Sequence, residues 1–447
     1  MIMQKNLGAI LPVVCAVAVT ILSVGNADAI PAFARQNKAE CTTCHTIFPE
    51  LNEYGEAFYK NVYVLTHDKT ATKAKEQPKD PKLEGLILSG IPLYFPGTIT
   101  ATMNLAYDKG ALNNDKLDLS SRAIQFQAGG NFNEDAGLFI SYNLYTQGIY
   151  EPKTSNVPLN NTPNLNEAFV VWRHAFDTPI NLKAGRMKPK LSLWKSTNNT
   201  AVTSYAPLVY KVGNSPFSVD SPEDALELNA VVANRVFVAA GVVDRNGQNT
   251  KEGYGHVSVK LGGADFNGTE PTVDFDNPTI WNYTSLTLGA YSYFGRVASV
   301  SNQVAVNSSN FYRAGIDADF NIERFRGRLS AVKGKDSNPY LDSTIDPSSN
   351  VISPVDVESV VFAAEGQYLF GSKVLAAFRY EFQDAGPIKF FNNNANALAI
   401  TWGTTHRYIP SIAYAPKQSI KVVLEYKREE TPLGSNNVTN LGAVVSF

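Results

Sequence analysis

Two cysteines and a histidine stand together near the start of the chain, as Cys41-Thr42-Thr43-Cys44-His45. A Cys-x-x-Cys-His run is the attachment signal for c-type haem: each thiol adds to a vinyl group of the macrocycle, and the adjacent imidazole becomes the proximal iron ligand. Two other chemistries use such a pair. A thiol–disulfide exchanger would want a βαβ surround, and a structural zinc site would want a second ligand pair; neither pattern accompanies the motif. The chain holds 3 Cys, and the third, Cys15, lies in an apolar N-terminal run. Residues 1–29 read as a secretory signal: Lys5 gives a positive start, Leu7 to Val24 is uncharged, and Ala27-Asp28-Ala29 is a cleavage site. A retained membrane helix is the other reading of that run, which is just long enough to span. Pro12-Val13-Val14 before Cys15 makes a poor lipidation site. Processing would leave two cysteines, both in the motif.

The sixth iron position has fewer candidates. Methionine is the usual partner where a high potential is needed, and residues 30–96 contain none. Met103 shares parity with Ile99, Ala101 and Leu105 and should face lipid, while Met187 ends an irregular strand with no face assigned. His174 belongs with Val170, Trp172 and Phe176 at a membrane interface, and His406 sits at a loop boundary. His67 follows the haem motif closely enough to reach back and is the first candidate. His256, opposite in parity to Val257, Val259 and Leu261, should point inward and is the second. The bland alternative is that both are ordinary polar residues.

These residues must be held by something, and composition says what. The chain has 447 residues, of which 18% are charged, below the ~25% of soluble globular chains. Aromatics reach 11%, with 21 Tyr and 24 Phe. The mean hydropathy is slightly negative, too polar for a bundle of membrane helices. A net charge of −2 gives no electrostatic case for nucleic acid, and 3 Cys exclude a disulfide scaffold. A membrane β-barrel remains.

Period-2 alternation runs from about residue 97 to the end. Val374, Ala376, Phe378, Tyr380 and Phe382 oppose Arg379, Glu381 and Gln383; Tyr312, Ala314, Ile316, Ala318 and Phe320 oppose Arg313, Asp317 and Asp319. Ile420, Val422, Leu424 and Tyr426 oppose Lys421, Glu425 and Lys427. In a membrane barrel the apolar set faces lipid and the polar set lines the lumen. The pattern predicts strands at 97–107, 120–132, 136–146, 165–176, 180–187, 224–233, 235–244, 253–262, 284–296, 309–321, 325–334, 357–370, 373–383, 406–415, 419–428 and 438–447. Tight turns alternate with long links such as 147–164, 188–223, 335–356 and 384–405, as short periplasmic turns alternate with long external loops in bacterial barrels. About 16 antiparallel strands close evenly. The link Gly263–Tyr283 breaks the rule, being long where a short turn is due: an insertion or a misplaced strand. The final strand ends on Leu441, Ala443, Val445 and Phe447, an alternation with a terminal aromatic that resembles the closing strand of outer-membrane barrels.

Residues 30–82 then form a haem segment and linker, and 83–447 the barrel. Phe48-Pro49 is expected to open a helix with Pro at its first position, with Leu51, Tyr54 and Phe58 on one face. Thr66 to Lys82 is rich in Lys, Thr and Pro and reads as a linker. So short a segment barely buries a haem by itself. It is therefore expected to insert into the barrel mouth or lumen as a plug, with barrel residues completing the pocket.

Ile30-Pro31-Ala32-Phe33-Ala34-Arg35-Gln36 before the motif, and Phe48-Pro49-Glu50-Leu51-Asn52 after it, resemble the fused outer-membrane monohaem cytochrome c–porin family, which includes iron-oxidising outer-membrane cytochromes. The family often continues Thr-Gly where this chain has Asn37-Lys38. Gly185-Arg186-Met187-Lys188-Pro189-Lys190-Leu191-Ser192 resembles a strand-end segment of phosphate-selective-type porins. The resemblance implies electron transfer across the outer membrane through one covalent haem c. The donor would be external, Fe(II) in iron-oxidising members, and the acceptor a soluble periplasmic c-type cytochrome. Loop carboxylates such as Asp336, Asp342, Asp346, Asp384, Glu429 and Glu430 are candidate cation attractors, or simply solvated loop charge. The competing functions are a diffusion porin with a haem-bearing plug or redox gate, and electron export to an external acceptor.

Overall fold

The computed structural model describes residues 41–61, 63, 97–110, 116–131, 135–146, 163–195, 200–212, 217–245, 251–269, 283–301, 304–337, 339, 356–384, 388–391, 397–400, 404–432 and 434–446. The chain divides into two units, 1–30 and 31–447, and all described residues belong to the second. The signal segment with Cys15, the Ile30–Gln36 run, the linker with His67, and Phe447 lie outside the described residues.

Alternation of side chains closes the chain into a ring. The N-terminal segment contributes α1 (Cys41–Cys44), β1 (His45–Ile47), β2 (Glu50–Leu51) and α2 (Glu53–Lys60). The wall follows as β3 (Gly97–Asp108), β4 (Leu117–Asn131), β5 (Ala136–Thr146), β6 (Asn164–Trp172), β7 (Ile180–Met187), β8 (Glu223–Val232), β9 (Val236–Asp244), β10 (Glu252–Gly262), β11 (Ser285–Ser301), β12 (Val304–Ile322), β13 (Phe325–Asp336), β14 (Val357–Phe370) and β15 (Val374–Asp384). After a separate hairpin, β16 (Ile388–Phe391) and β17 (Ala397–Ile400), it is completed by β18 (Thr405–Lys417), β19 (Ile420–Thr431) and β20 (Gly434–Ser446). Sixteen antiparallel strands pair in sequence order, and β20 pairs with β3 to close the barrel, so no edge is left to lipid. A lumenal bond from Asn104 Nδ2 to Asn440 Oδ1, 3.1 Å, lies across that seam.

The two faces divide as the period-2 pattern requires. Ile316, Phe378 and Leu424 are 64%, 52% and 53% exposed on the outside, while Asp317, Arg379 and Glu425 beside them are buried inside. Trp172, Phe176, Phe325, Tyr368 and Phe370 are exposed at the short-turn end, and Phe294, Tyr312 and Tyr426 nearer the other, as interfacial aromatics do. A closed barrel with a lipid-facing band of this kind is an outer-membrane barrel. Its short turns face the periplasm and its long links face outward.

The long link after β10 is an insertion at the short-turn end, not a misplaced strand, since β10 and β11 pair directly. Gly262 and Gly263 start it with φ of +68° and +57°, a left-handed pair that only glycine adopts without strain. Its described part returns over the N-terminal segment. Ala264 N–H donates to Glu53 Oε2 at 2.7 Å, and Asn61 Nδ2 donates to the Phe266 carbonyl at 3.0 Å.

Three expectations need correction. The helix begins at Glu53 with Asn52 as its cap, not at Pro49: Asn52 Oδ1 accepts from Gly55 N–H at 2.9 Å, while Pro49 sits in the turn between β1 and β2. The link after β15 carries the hairpin β16–β17. Finally, Asp336, Asp384, Glu429 and Glu430 lie in strands and not in loops. Asp336 is buried and paired to Arg313 at 2.9 Å, and Glu429 and Glu430 pair with Arg407 at 2.5 Å and Arg428 at 2.7 Å. Alternation carried these strands further than their apolar residues alone indicated. Asp342 and Asp346 lie outside the described residues.

Candidate functional site

The Cys-x-x-Cys-His turn is built by hydrogen bonds from its own neighbours. His45 Nδ1 lies 3.1 Å from the Pro49 carbonyl oxygen. A carbonyl only accepts, so Nδ1 carries the proton and Nε2 keeps its lone pair, the arrangement by which backbone carbonyls orient metal-binding imidazoles. Burial pushes the His45 pKa down to about 4, against the opposing bonds to Pro49 and Glu50, so the ring is neutral. Burial first, and Cys41 second, push the Cys44 thiol up to about 12. Asn52 ties the turn to α2: its Nδ2 donates to the Thr43 and Thr42 carbonyls at 3.0 and 3.2 Å, and its backbone N–H to the Cys44 carbonyl at 2.9 Å. Gly55 lets the helix come this close, because a Cβ there would be driven into the Cys44 carbonyl.

Two acids fasten this segment to the inner wall, and a third ties it to the link that follows β7. Glu50 is buried against Arg326, 3.1 Å away, and Arg328. Glu53 accepts from Ser285 as well as Ala264, with Lys260 at 3.5 Å. Glu56 meets Lys195 at 2.8 Å and Lys60 at 3.3 Å. Burial would raise the Glu56 pKa, but Lys195, Lys60 and Lys190 together hold it well below the usual carboxylate value. Ile47 packs against Leu369, Leu375, Ala413 and Val423. All these wall residues are on inward faces towards the short-turn end, so the segment sits inside the periplasmic half of the lumen.

The link between β7 and β8 folds inward to meet it, containing α3 (Ala206–Val209). On one side Leu193 N–H donates to Asp317 at 3.0 Å and Trp194 Nε1–H to the Leu329 carbonyl at 3.1 Å. On the other, Val202 and Thr203 N–H donate to Glu425 at 2.7 and 2.9 Å, and Ala206 N–H to Glu381 at 2.9 Å. Bonds from backbone to buried carboxylate are charge-assisted, worth about 1.5–3 kcal/mol each. Leu191, Trp194, Tyr205, Leu208 and Phe217 fill the space behind with Tyr254, Tyr291 and Tyr293 of the wall.

Between the N-terminal segment and this crossing loop is a cavity of about 590 Å³, lined by Cys41, Cys44 and His45, within the ~300–1,000 Å³ of small-molecule and cofactor sites. Its apolar lining includes Phe48, Leu51, Phe58, Phe139, Phe169 and Trp194. Six lysines also line it among the described residues: Lys60, Lys183, Lys188, Lys190, Lys195 and Lys421. Burial, then Lys195 and Lys60, hold the Lys190 pKa well below its ordinary value.

The structure brings Cys41, Cys44 and His45 together at this cavity. His256 points inward as expected, 5% exposed, with its ring against the Leu191 backbone, and it is not itself among the cavity-lining residues. Its ring is 5.9 Å from that of Phe237, which lines the cavity. His67 lies outside the described residues. Met103 is exposed on the outer face, and Met187 is fully buried against Phe169 and Val171. His174 is exposed in a turn 3.4 Å from Asp135, and the two ring nitrogens of His406 hydrogen-bond the Tyr380 and Thr404 hydroxyls, one donating and one accepting. Lys188 and Lys190 fall in the porin-like segment that the sequence shows, whereas Lys60, Lys183, Lys195, Lys421 and the inward course of the crossing loop do not stand out in it. The inward parity of Asp317, Glu381 and Glu425 was the available signal, since buried lumenal acids need donors from somewhere.

No family model matches the chain, and no curated protein matches it in sequence. Solved structures match in fold. An anion-selective porin from Comamonas acidovorans superposes with TM-score 0.51 at 11% identity, covering 78% of this chain and 99% of its own. OmpT, an outer membrane protein of Vibrio cholerae in its trimer form, gives TM-score 0.50 at 10% identity, covering 79% of this chain and 99% of its own. The fold is that of the porin barrels.

Proposed function

We propose that this chain carries electrons across the outer membrane through one covalent haem c seated in the lumen of a porin-type barrel. The carrying observation is His45: its Nδ1–H is committed to the Pro49 carbonyl, which leaves Nε2 as the available iron ligand on a residue lining the cavity. The cavity's volume and its mixed apolar and basic lining support the same reading, as do two cysteines at its edge. His256, buried and inward-facing beside Phe237 of the lining, is the proposed sixth ligand among the described residues, with His67 the candidate outside them.

When bound, the haem supplies a one-electron couple. The chain's own residues do the rest. Asn52 and Gly55 fix the attachment turn, Glu50 and Glu53 hold it to the wall, and the crossing loop covers the cavity from the outside. The proposed donor is extracellular Fe(II), and the proposed acceptor is a soluble c-type cytochrome meeting the periplasmic end, where the segment lies. Electron export is the same path reversed, and the midpoint potential decides between them.

A second reading has its own support. The fold likeness includes a porin described as anion-selective, and this chain's cavity is rich in lysine; a solute channel with a plug or redox gate fits both. Haem staining on denaturing gels and Fe(II)-reduced spectra test the first reading. Stain on the wild-type chain, lost in Cys41→Ser/Cys44→Ser, and reduction by Fe(II) are expected. A wild-type chain without haem that swells liposomes would leave only the channel.

A further inference from the structure

The cavity holds more positive charge than its own walls neutralise. Among the described residues, six lysines line it against three carboxylates, Glu167, Asp220 and Glu227. Asp220 is taken by Lys188 at 2.7 Å. Glu227 accepts from the Tyr254 hydroxyl at 2.6 Å and the Lys190 backbone N–H at 3.3 Å, and Glu167 from the Lys188 backbone N–H at 3.2 Å. Glu56, behind the lining, serves Lys60 and Lys195.

Of the other three lysines, Lys421 has partners of its own, and Lys183 and Lys190 are left over. Neither ammonium has a carboxylate within 4.0 Å among the described residues. Lys183 Nζ lies 4.0 Å from the Phe169 ring centroid, and Lys190 Nζ donates one bond, to the Ser192 carbonyl at 3.2 Å. Glu227 stands opposite Lys183 across the β7–β8 ladder and, with Glu56, acts on Lys190 from a distance, but neither makes a close ion pair with these ammoniums, and an ammonium has three donors to satisfy. The ligand that relieves this is an anion with oxygen acceptors.

We propose that Lys183 and Lys190 seat the two propionate carboxylates of the haem, an assignment that rests on the haem reading above. Haem carries its vinyl groups and its propionates on opposite edges of the ring, and this cavity has cysteines and unneutralised lysines on one continuous lining. The attachment turn then fixes one edge covalently and the lysines fix the other by charge-assisted bonds. Each lysine also favours the reduced haem, because it offsets negative charge beside the iron. A permeating inorganic anion offers the same oxygen chemistry, and the test separates the two.

The experiment takes the full chain purified from outer membranes and compares Lys183→Met and Lys190→Met with Lys183→Arg and Lys190→Arg. Haem staining, redox titration and the propionate-bending bands in resonance Raman spectra are the readouts. Expected in the Met variants is attached haem, shifted propionate bands, and a several-fold lower reduced-to-oxidised ratio at fixed potential, where tenfold corresponds to 59 mV. The Arg variants stay near wild type. Attached haem with unmoved bands and midpoint in both Met variants overturns the lysine assignment and leaves the haem reading standing. A shift in ion selectivity of the reconstituted barrel without those changes assigns the lysines to a permeating anion instead. A wild-type chain without haem overturns both. The two lysines sit on separate elements, a strand and a loop, so if one variant fails to assemble the other decides.

Discussion

Replacing Asn52 tests how the attachment turn is held. The side chain caps α2 through Gly55 N–H at 2.9 Å and also donates to the Thr43 and Thr42 carbonyls at 3.0 and 3.2 Å, the first two of these bonds buried and the third part-buried. Asn52→Ala removes the cap, worth ~1 kcal/mol, and two hydrogen bonds of ~1 kcal/mol each. The sum, about 3 kcal/mol, is roughly a hundredfold in local opening at about 1.4 kcal/mol per decade. Asn52→Asp separates the two roles. Aspartate caps a helix as well as asparagine does, yet it has no N–H to give and sets an anion against two carbonyls, so about 2 kcal/mol is still lost. Hydrogen exchange of peptides spanning 41–61, in the full chain in detergent, reads the opening directly. Asn52→Ala should exchange roughly a hundredfold faster and Asn52→Asp more than tenfold faster. An Asn52→Asp chain that exchanges like wild type would refute the two carbonyl bonds and reduce Asn52 to a cap.

Gly55→Ala should weaken the same turn, although alanine normally gains about 1 kcal/mol over glycine inside a helix. The added methyl meets the Cys44 carbonyl, and overpacking of ~1–3 kcal/mol outweighs that gain; faster exchange and lower haem content check it. Glu56 is held well below the ordinary carboxylate range, so the unfolded segment binds more protons than the folded one as pH falls below that range. The stability Glu56 contributes is thus present above its unfolded pKa and is lost in acid, and Glu56→Gln should flatten the acid dependence of segment proteolysis. Glu425→Ala leaves the Val202 and Thr203 N–H groups without their acceptor, at ~1–3 kcal/mol each. Faster protease cleavage within 188–222 and a larger single-channel conductance are expected.

Much of the wall was readable because a strand's faces differ by a single residue step. Arg379 and Glu381 against Phe378 and Tyr380 leave only one register that keeps charge out of lipid. The misassigned places obey other rules. The start of α2 was placed at Pro49 on a positional preference, whereas Asn52 has the better cap and the Pro49 carbonyl is needed by His45. The crossing loop has no periodicity to read, and its place comes from partners more than a hundred residues away, such as Asp317 and Glu425. Asp336 reads as loop charge in sequence because its strand runs four residues past Val332, its last apolar side chain, to reach Arg313. At the site, motif spacing identified Cys41, Cys44 and His45. Lys190 stands in the segment that resembles a porin strand end, whereas Lys183 carries no local signature, since a lumenal lysine and a surface lysine alternate alike in sequence.

The most direct measurement places the purified chain in sealed liposomes loaded with ferric c-type cytochrome, with Fe(II) outside as a chelate too large for the lumen. Reduction of the enclosed cytochrome by the wild-type chain, and its loss in Cys41→Ser/Cys44→Ser with the barrel intact, is the outcome predicted for electron transfer through a lumenal haem. An enclosed cytochrome that stays ferric while small solutes equilibrate through the barrel would contradict it.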